Sequence, residues 1–261
     1  MKIVVCLKQV PATTAAKRYT PDFRLDRAVA EAVINPLDEY AIEQALRLQE
    51  AGAVEAVGYL SMGPESAAEA LRRALAMGGD DATLVTDPAL AGADAWATAR
   101  VLAAALDKLS PDVALMGMAS DDARGSLVPG AVAALRGVPL LSYGSELRIE
   151  GSAARVRRLT AAGYDIVEAP MPVVASVTDQ VGEPRYASLK GIMAAKRKPM
   201  ETWSLADLGL SAEDLHGAAI TRVVEVRKPE AKPPTERVEN VSADEAVTRI
   251  VDWLAARKLV G

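Results

Sequence analysis

The chain has 261 residues, half of them hydrophobic, with 30 Lys and Arg against 35 Asp and Glu, for a formal charge of -5. That length can bury a substantial core as one large domain or one domain with a long appendage. The acidic balance and a single phenylalanine, Phe23, argue against a surface that grips nucleic acid through phosphates and stacked bases. One cysteine, Cys6, excludes an internal disulfide or thiolate metal cluster and suits a reducing, cytoplasmic setting. The lone histidine, His216, lies in SAEDLHGAA, which reads as a surface loop. MKIVVCLKQV is a short apolar run broken by Lys8, unlike a signal peptide, and no segment approaches the roughly 18 apolar residues of a membrane span.

IVVCL at 3–7 reads as a first buried strand. Asn35 then caps a helix that starts on Pro36, carries Leu37, Ala41, Ile42, Ala45, Leu46 and Leu48 at helical spacing, and ends at Gly52. AVGYLSM at 56–62 is the second strand. Gly63 and Pro64 open a helix that closes at Gly78 and Gly79, ATLVT at 82–86 is a third strand, and 93–109 is an Ala-rich helix. DVALMG at 112–117 is a fourth strand, and the polar loop SDDARGS leads into a short helix at 128–136. Strands alternating with helices predict an α/β fold: a doubly wound, mostly parallel, Rossmann-like sheet.

After 140 the period changes to two. SELRIEG, ARVRRLTAAGYDIVEA and MPVVASVT read as antiparallel strands turning at Gly151 and Gly163, added to that sheet. Residues 1–194 are therefore assigned to the α/β domain and 195–261 to a C-terminal arm. Within the arm, EVRKPEAKPPTE at 225–236 is a charged, proline-bearing linker. Ser242 and Glu245 form a capping box for a final helix with Ala246, Ile250, Trp253 and Leu254 on one stripe. That helix either folds back or clasps another chain. The stretch EPRYASLKGIMAAKRKPME at 183–201 crowds Lys190, Lys196, Arg197 and Lys198 around Leu189, Ile192 and Met193; it reads as a surface made for contact or as one buried helix face with a solvated end.

No Walker loop, GxSxG or GxGxxG is present. Ligands of open parallel sheets bind at the carboxyl ends of strands where strand order reverses, which here points to Cys6, Met62 and the loop Gly117–Leu127. Helix starts at Gly63 and Gly125 would offer N–H groups to a phosphate. Arg124 and Ser126 would face the anion, and Asp121 and Asp122 would shape the loop. A polar loop without a ligand fits the same pattern.

KQVP, INPLDEYAIEQALRL, SMGP, LRRALAMGGDDA, the SDD loop and above all EPRYASLKGIMAAKRKPME followed by SLADLGL resemble the beta (small) subunit of electron-transfer flavoproteins, in register along nearly the whole chain. The resemblance implies an electron-carrier subunit and no bond-making enzyme. Its partner is an alpha subunit that carries most contacts to a redox FAD, and AMP is buried in this chain. The implied nucleotide contacts are Cys6; Asn35, Pro36, Leu37 and Asp38; Met62; and Gly117, Met118, Ala119, Ser120, Asp121, Asp122, Ala123, Arg124, Gly125, Ser126 and Leu127. The implied recognition loop for electron-donor dehydrogenases is Arg185, Tyr186, Ala187, Ser188, Leu189, Lys190, Gly191, Ile192, Met193 and Ala194, with Leu189 as anchor.

The chain departs from the family at Ser126, Leu127 and Val128, and at Thr13 and Leu37, where members often carry aromatics beside the flavin. CLKQVPATT looks like the bifurcating subgroup, whose beta subunit binds a second FAD in place of AMP. An adenylyl-transfer enzyme or a nucleotide sensor would share the pocket; the first lacks a phosphate-gripping loop, and the second leaves the 183–201 stretch unexplained.

Overall fold

The first strand, β1 (Lys2–Cys6), sends alternate residues to opposite sides of a sheet: Ile3 and Val5 join one apolar cluster, Val4 and Cys6 another. That two-sided burial defines a three-layer α/β sandwich. The computed structural model describes residues 1–12, 17–27, 31–218, 220–227, 229–231, 234–235 and 237–260, with the backbone alone at 216–218. A short hairpin, β2 (Gln9–Pro11) and β3 (Ala32–Ile34), stands apart from the main sheet. Then come α1 (Pro36–Glu50), β4 (Ala56–Met62), α2 (Ala68–Met77), β5 (Asp81–Val85), α3 (Ala95–Leu109), β6 (Val113–Gly117) and α4 (Val128–Arg136). The second half supplies β7 (Leu140–Glu150), β8 (Ala153–Thr160), β9 (Gly163–Pro170), β10 (Val173–Val177), α5 (Leu189–Ala195), β11 (Met200–Trp203), α6 (Ala212–Ala218) and α7 (Ala243–Ala256).

Among the described residues the main sheet has nine strands in the order β11-β5-β4-β1-β6-β10-β7-β8-β9. The pairings from β11 to β7 are parallel, and β8 and β9 extend the sheet antiparallel. Winding runs outward from β1 through β4 to β5, then α3 carries the chain back to β6 on the other side of β1. Strand order therefore reverses between β1 and β6.

Two expectations need correction. MPVVASVT is not antiparallel: β10 lies between β6 and β7, parallel to both, and all five of its residues are buried. A strand buried on both faces, with Ser176 as its one polar residue and that hydroxyl accepting the Tyr143 N–H, is a central parallel strand and not a half-exposed hairpin. The boundary at 194 also falls inside a compact unit, because the chain divides into Met1–Val224 and Glu225–Gly261. β11 pairs with β5, and Trp203, Leu205 and Leu215 are buried in the α3–α4 cluster, so these apolar anchors hold 195–224 to the α/β unit despite its polar composition.

In the second unit, α7 is capped as its sequence predicts: the Ser242 hydroxyl accepts the Glu245 N–H at 3.2 Å. None of its residues is buried, and Val247, Ile250 and Trp253 are exposed. His216 belongs to the short helix α6 and not to a loop. Among the described residues, no helix is long and apolar enough to cross a membrane.

Candidate functional site

At the point of reversal, the end of β6 meets the start of α1. A Cβ on Gly117 would lie 2.5 Å from the Leu37 carbonyl oxygen and 2.6 Å from the Asp38 carboxylate, so only glycine permits this approach. Asn35 stands at the N-cap of α1, yet its side chain does not cap the helix. Its Nδ2 donates to the Ala119 carbonyl at 2.9 Å and its Oδ1 accepts the Asp121 N–H at 2.9 Å, while its own N–H donates to Lys8. Buried Asn35 thus fastens the loop after β6 to the loop after β1. Asp38 completes the clasp by accepting the Lys8 N–H at 2.8 Å. Burial pushes its carboxyl up to about 7, against hydrogen bonds from Lys8, Asn35 and Gly117 that favour the anion.

The loop beyond is held by ion pairs, two of them between residues far apart in sequence. The Asp122 side chain is 2 % exposed, accepts from Lys8 Nζ at 2.9 Å and pairs with Arg27. Burial would raise its pKa, but the Lys8 charge and the hydrogen bonds of Lys8, Ser120 and Arg27 prevail and hold it at about 2. Arg124 pairs with Asp121 at 2.6 Å, and Lys17 Nζ donates to the Asp121 carbonyl at 3.3 Å. Cations therefore offset the two carboxylates that would repel an anion.

From Ala123 to Leu127 the loop is exposed. Arg124 and Ser126 hold φ of 49° and 50°, left-handed backbone that costs a non-glycine residue on the order of 1–2 kcal/mol. Among the described residues, the N–H groups of Gly125, Ser126 and Leu127 make no hydrogen bond, and a Cβ on Gly125 would meet open space. Uncommitted amides in alternating backbone conformation, in a loop whose Asp121 and Asp122 are engaged by Lys8, Lys17, Arg27 and Arg124, suit a phosphate. The residues present fit a phosphate group.

The structure sorts the remaining candidates. Met118, Ala119 and Ser120 are half-buried in the same loop, and Pro36 and Leu37 are half-buried beside Gly117. Met62 ends β4, one strand over from β1, outside the polar cluster but on the same sheet edge. The Cys6 thiol lies in the α3–α4 core, where burial pushes it up to about 12. Gly63 offers no free amide, because its N–H donates to Val85 at 3.0 Å and a 3₁₀ turn at Glu65–Ala67 precedes α2. Gly125 is likewise not a helix start: α4 begins at Val128. Thr13 lies outside the described residues. Sequence reasoning missed Lys8, Lys17 and Arg27 as site residues, although a lysine interrupting an apolar strand was a usable signal.

Within the 183–201 stretch, Leu189–Ala195 forms the short helix α5, capped by Ser188, whose hydroxyl accepts the Gly191 N–H at 3.0 Å. Of its two readings, the buried one fails. Leu189 is 78 % exposed and Tyr186 98 %, Ile192 and Met193 also face solvent, and only Ala195 of the helix is buried. Lys190, Lys196 and Arg197 are exposed around them, whereas Lys198 is half-buried and donates to the Leu75 carbonyl at 2.9 Å.

Comparison with known proteins adds an independent finding. The family model described as the electron transfer flavoprotein domain matches residues 22–208. The chain is 37% identical to the electron transfer flavoprotein subunit beta of Mycobacterium tuberculosis, with 99% of each chain covered. It is 33% identical to the caffeyl-CoA reductase-Etf complex subunit CarD of Acetobacterium woodii and 32% identical to the electron transfer flavoprotein subunit beta of Megasphaera elsdenii, each over 100% of both chains.

Proposed function

Since the chain belongs to the electron transfer flavoprotein family, among its beta subunits, we propose that it is the scaffolding half of a two-subunit electron carrier: it binds AMP at the β1–β6 edge, clasps an alpha subunit with its C-terminal arm, and presents α5 to electron-donor dehydrogenases in the cytoplasm. The observation that carries the nucleotide assignment is the set of uncommitted amides at Gly125–Leu127, in a loop at the topological switch point whose two carboxylates are offset by Lys8, Arg27 and Arg124. In this reading Asn35 and Asp38 hold the two loops at a fixed separation, and the Gly125–Leu127 amides receive the phosphate. Met62 supplies apolar surface at the strand ends, and Cys6 packs in the core behind it.

FAD, when bound by the assembled pair, supplies the electron-accepting and electron-donating chemistry; this chain's contribution is to position and to dock. Exposed Leu189, Ile192 and Met193 form an apolar anchor ringed by Lys190, Lys196 and Arg197, the composition that gives affinity at the centre of an interface and steering at its rim. The exposed apolar residues of α7 suit packing on the alpha subunit.

Likeness to the CarD subunit favours a second reading in which an additional FAD replaces AMP. One measurement separates them: denature the purified two-subunit complex and chromatograph the released cofactors. One FAD and one AMP per complex support the first reading, and two FAD without AMP overturn it in favour of the second.

A further inference from the structure

The docking helix is mounted at both ends on the helix layer beneath it, and the entry mount is a closed ion network. The buried Glu43 carboxylate, midway along α1, accepts Arg185 Nε at 2.7 Å and the Arg185 backbone N–H at 3.1 Å on one oxygen, and Arg185 NH2 at 3.2 Å on the other. Glu50, two turns on, accepts Arg185 NH2 at 3.0 Å. Arg47 shares Glu43 at 2.7 Å and donates to the carbonyls of Val181 and Glu183 at 2.9 and 3.2 Å. The segment entering α5 is therefore fixed through both side chain and backbone. Beyond the helix, Arg72 holds the carbonyls of Ala195 and Lys198 at 2.7 and 2.9 Å. Between the two mounts, Gly191 lies flush on α2.

Exposed surface ion pairs contribute little, but this one includes a carboxylate that is buried and would be stranded without its guanidinium partners. Such expense is hard to account for as fold stability alone, since α5 buries only Ala195. We propose that Arg185 is the positioning residue of the docking surface. Held in the Glu43–Glu50 fork, it fixes the orientation in which Leu189 meets a donor protein, so that no ordering of the segment remains to be done on binding. A planar, two-pronged side chain does this where a lysine would swivel.

The inference rests on α5 being the donor-docking surface, and its test separates the two. Electron acceptance from a donor dehydrogenase is measured against concentration of the assembled, flavin-loaded complex for Leu189→Ala, Arg185→Gln, Arg185→Lys, Glu50→Gln and the double variant Leu189→Ala/Arg185→Gln. Arg185→Gln is expected to raise the half-saturating concentration about tenfold with the limiting rate retained, and Arg185→Lys to recover part of that loss. In the Leu189→Ala background, Arg185→Gln should add less than about twofold, because there is no anchor left to orient.

If Leu189→Ala alone changes nothing, the docking reading fails and this inference with it. If Leu189→Ala raises the half-saturating concentration but Arg185→Gln does not, or the two losses multiply in full, the positioning role alone is overturned. Should Arg185→Gln assemble poorly, Glu50→Gln, which removes one exposed prong, must still give a smaller rise in half-saturating concentration; an unchanged value overturns the proposal.

Discussion

Asp38 and Asp122 brace the same edge of the sheet and respond to pH in opposite senses. Asp38, raised from 3.8 to about 7, contributes its share of stability fully below about pH 4 and loses it as pH rises through about 7. Asp122, lowered to about 2, contributes above about pH 4 and loses its share as pH falls through 2. Asp38→Asn should therefore flatten the decline in stability between about pH 4 and 7, gaining on the order of 2–4 kcal/mol relative to the parent above that range. Asp122→Asn should destabilise at pH 7, where Lys8 and Arg27 lose their counter-charge, and far less near pH 2. Thermal unfolding of the complex across that range tests both. Cys6 offers a contrast. With its thiol pushed to about 12 it carries almost no thiolate at neutral pH, so Cys6→Ala should lose about 1 kcal/mol of packing while leaving the rates of flavin reduction and re-oxidation unchanged.

At the scale of elements, α5 and α7 make separable predictions. A Cβ at Gly191 would come within 2.2 Å of the Ala76 carbonyl oxygen, so Gly191→Ala must lift α5 from α2. It should cost about 1–3 kcal/mol and speed proteolysis between 186 and 198. Leu189→Ala, at an exposed position, should change stability by less than about 0.5 kcal/mol yet weaken donor coupling by about 2 kcal/mol. Ending the chain at Val224 should leave the thermal unfolding of the first unit near its original temperature and abolish stable pairing with the alpha subunit, read by size-exclusion chromatography.

These elements were unequally legible in the sequence. Strand 56–62 was read to the residue and the helix at about 128–136 was placed correctly, because their apolar residues are dense and Gly63, Pro129 and Gly137 punctuate them. β10 was misassigned because VVASV, four apolar residues and a buried serine, suits either a hairpin or a central strand, and only tertiary neighbours decide. Asn35 was read as a cap because it occupies a cap position, and its side chain bonds 84 and 86 residues away. The Lys8–Asp122 and Glu43–Arg185 pairs span 114 and 142 residues, separations at which no local pattern leaves a trace.

For the molecule as a whole, a formal charge of -5 coexists with an exposed basic cluster on α5. Donor association should thus slow as salt rises from about 0.05 to 0.5 M, with the dissociation rate less affected, and charge reversal at Lys190 or Arg197 should flatten that dependence. The position of β10 also governs how the chain can be made. During synthesis β6 emerges with one edge paired to β1 and the other bare, and β7 follows with no neighbour on its inner side. The strip that fills the gap, Val173–Val177, is translated some 55 residues after β6 ends, and β11 closes the far edge later still. Until about residue 177 has left the ribosome, the nascent chain carries two apolar strand edges able to pair with a neighbouring polysome product. Refolding of the denatured chain is therefore expected to be slow and its yield to rise when a chaperone is added, because the middle strand comes so late.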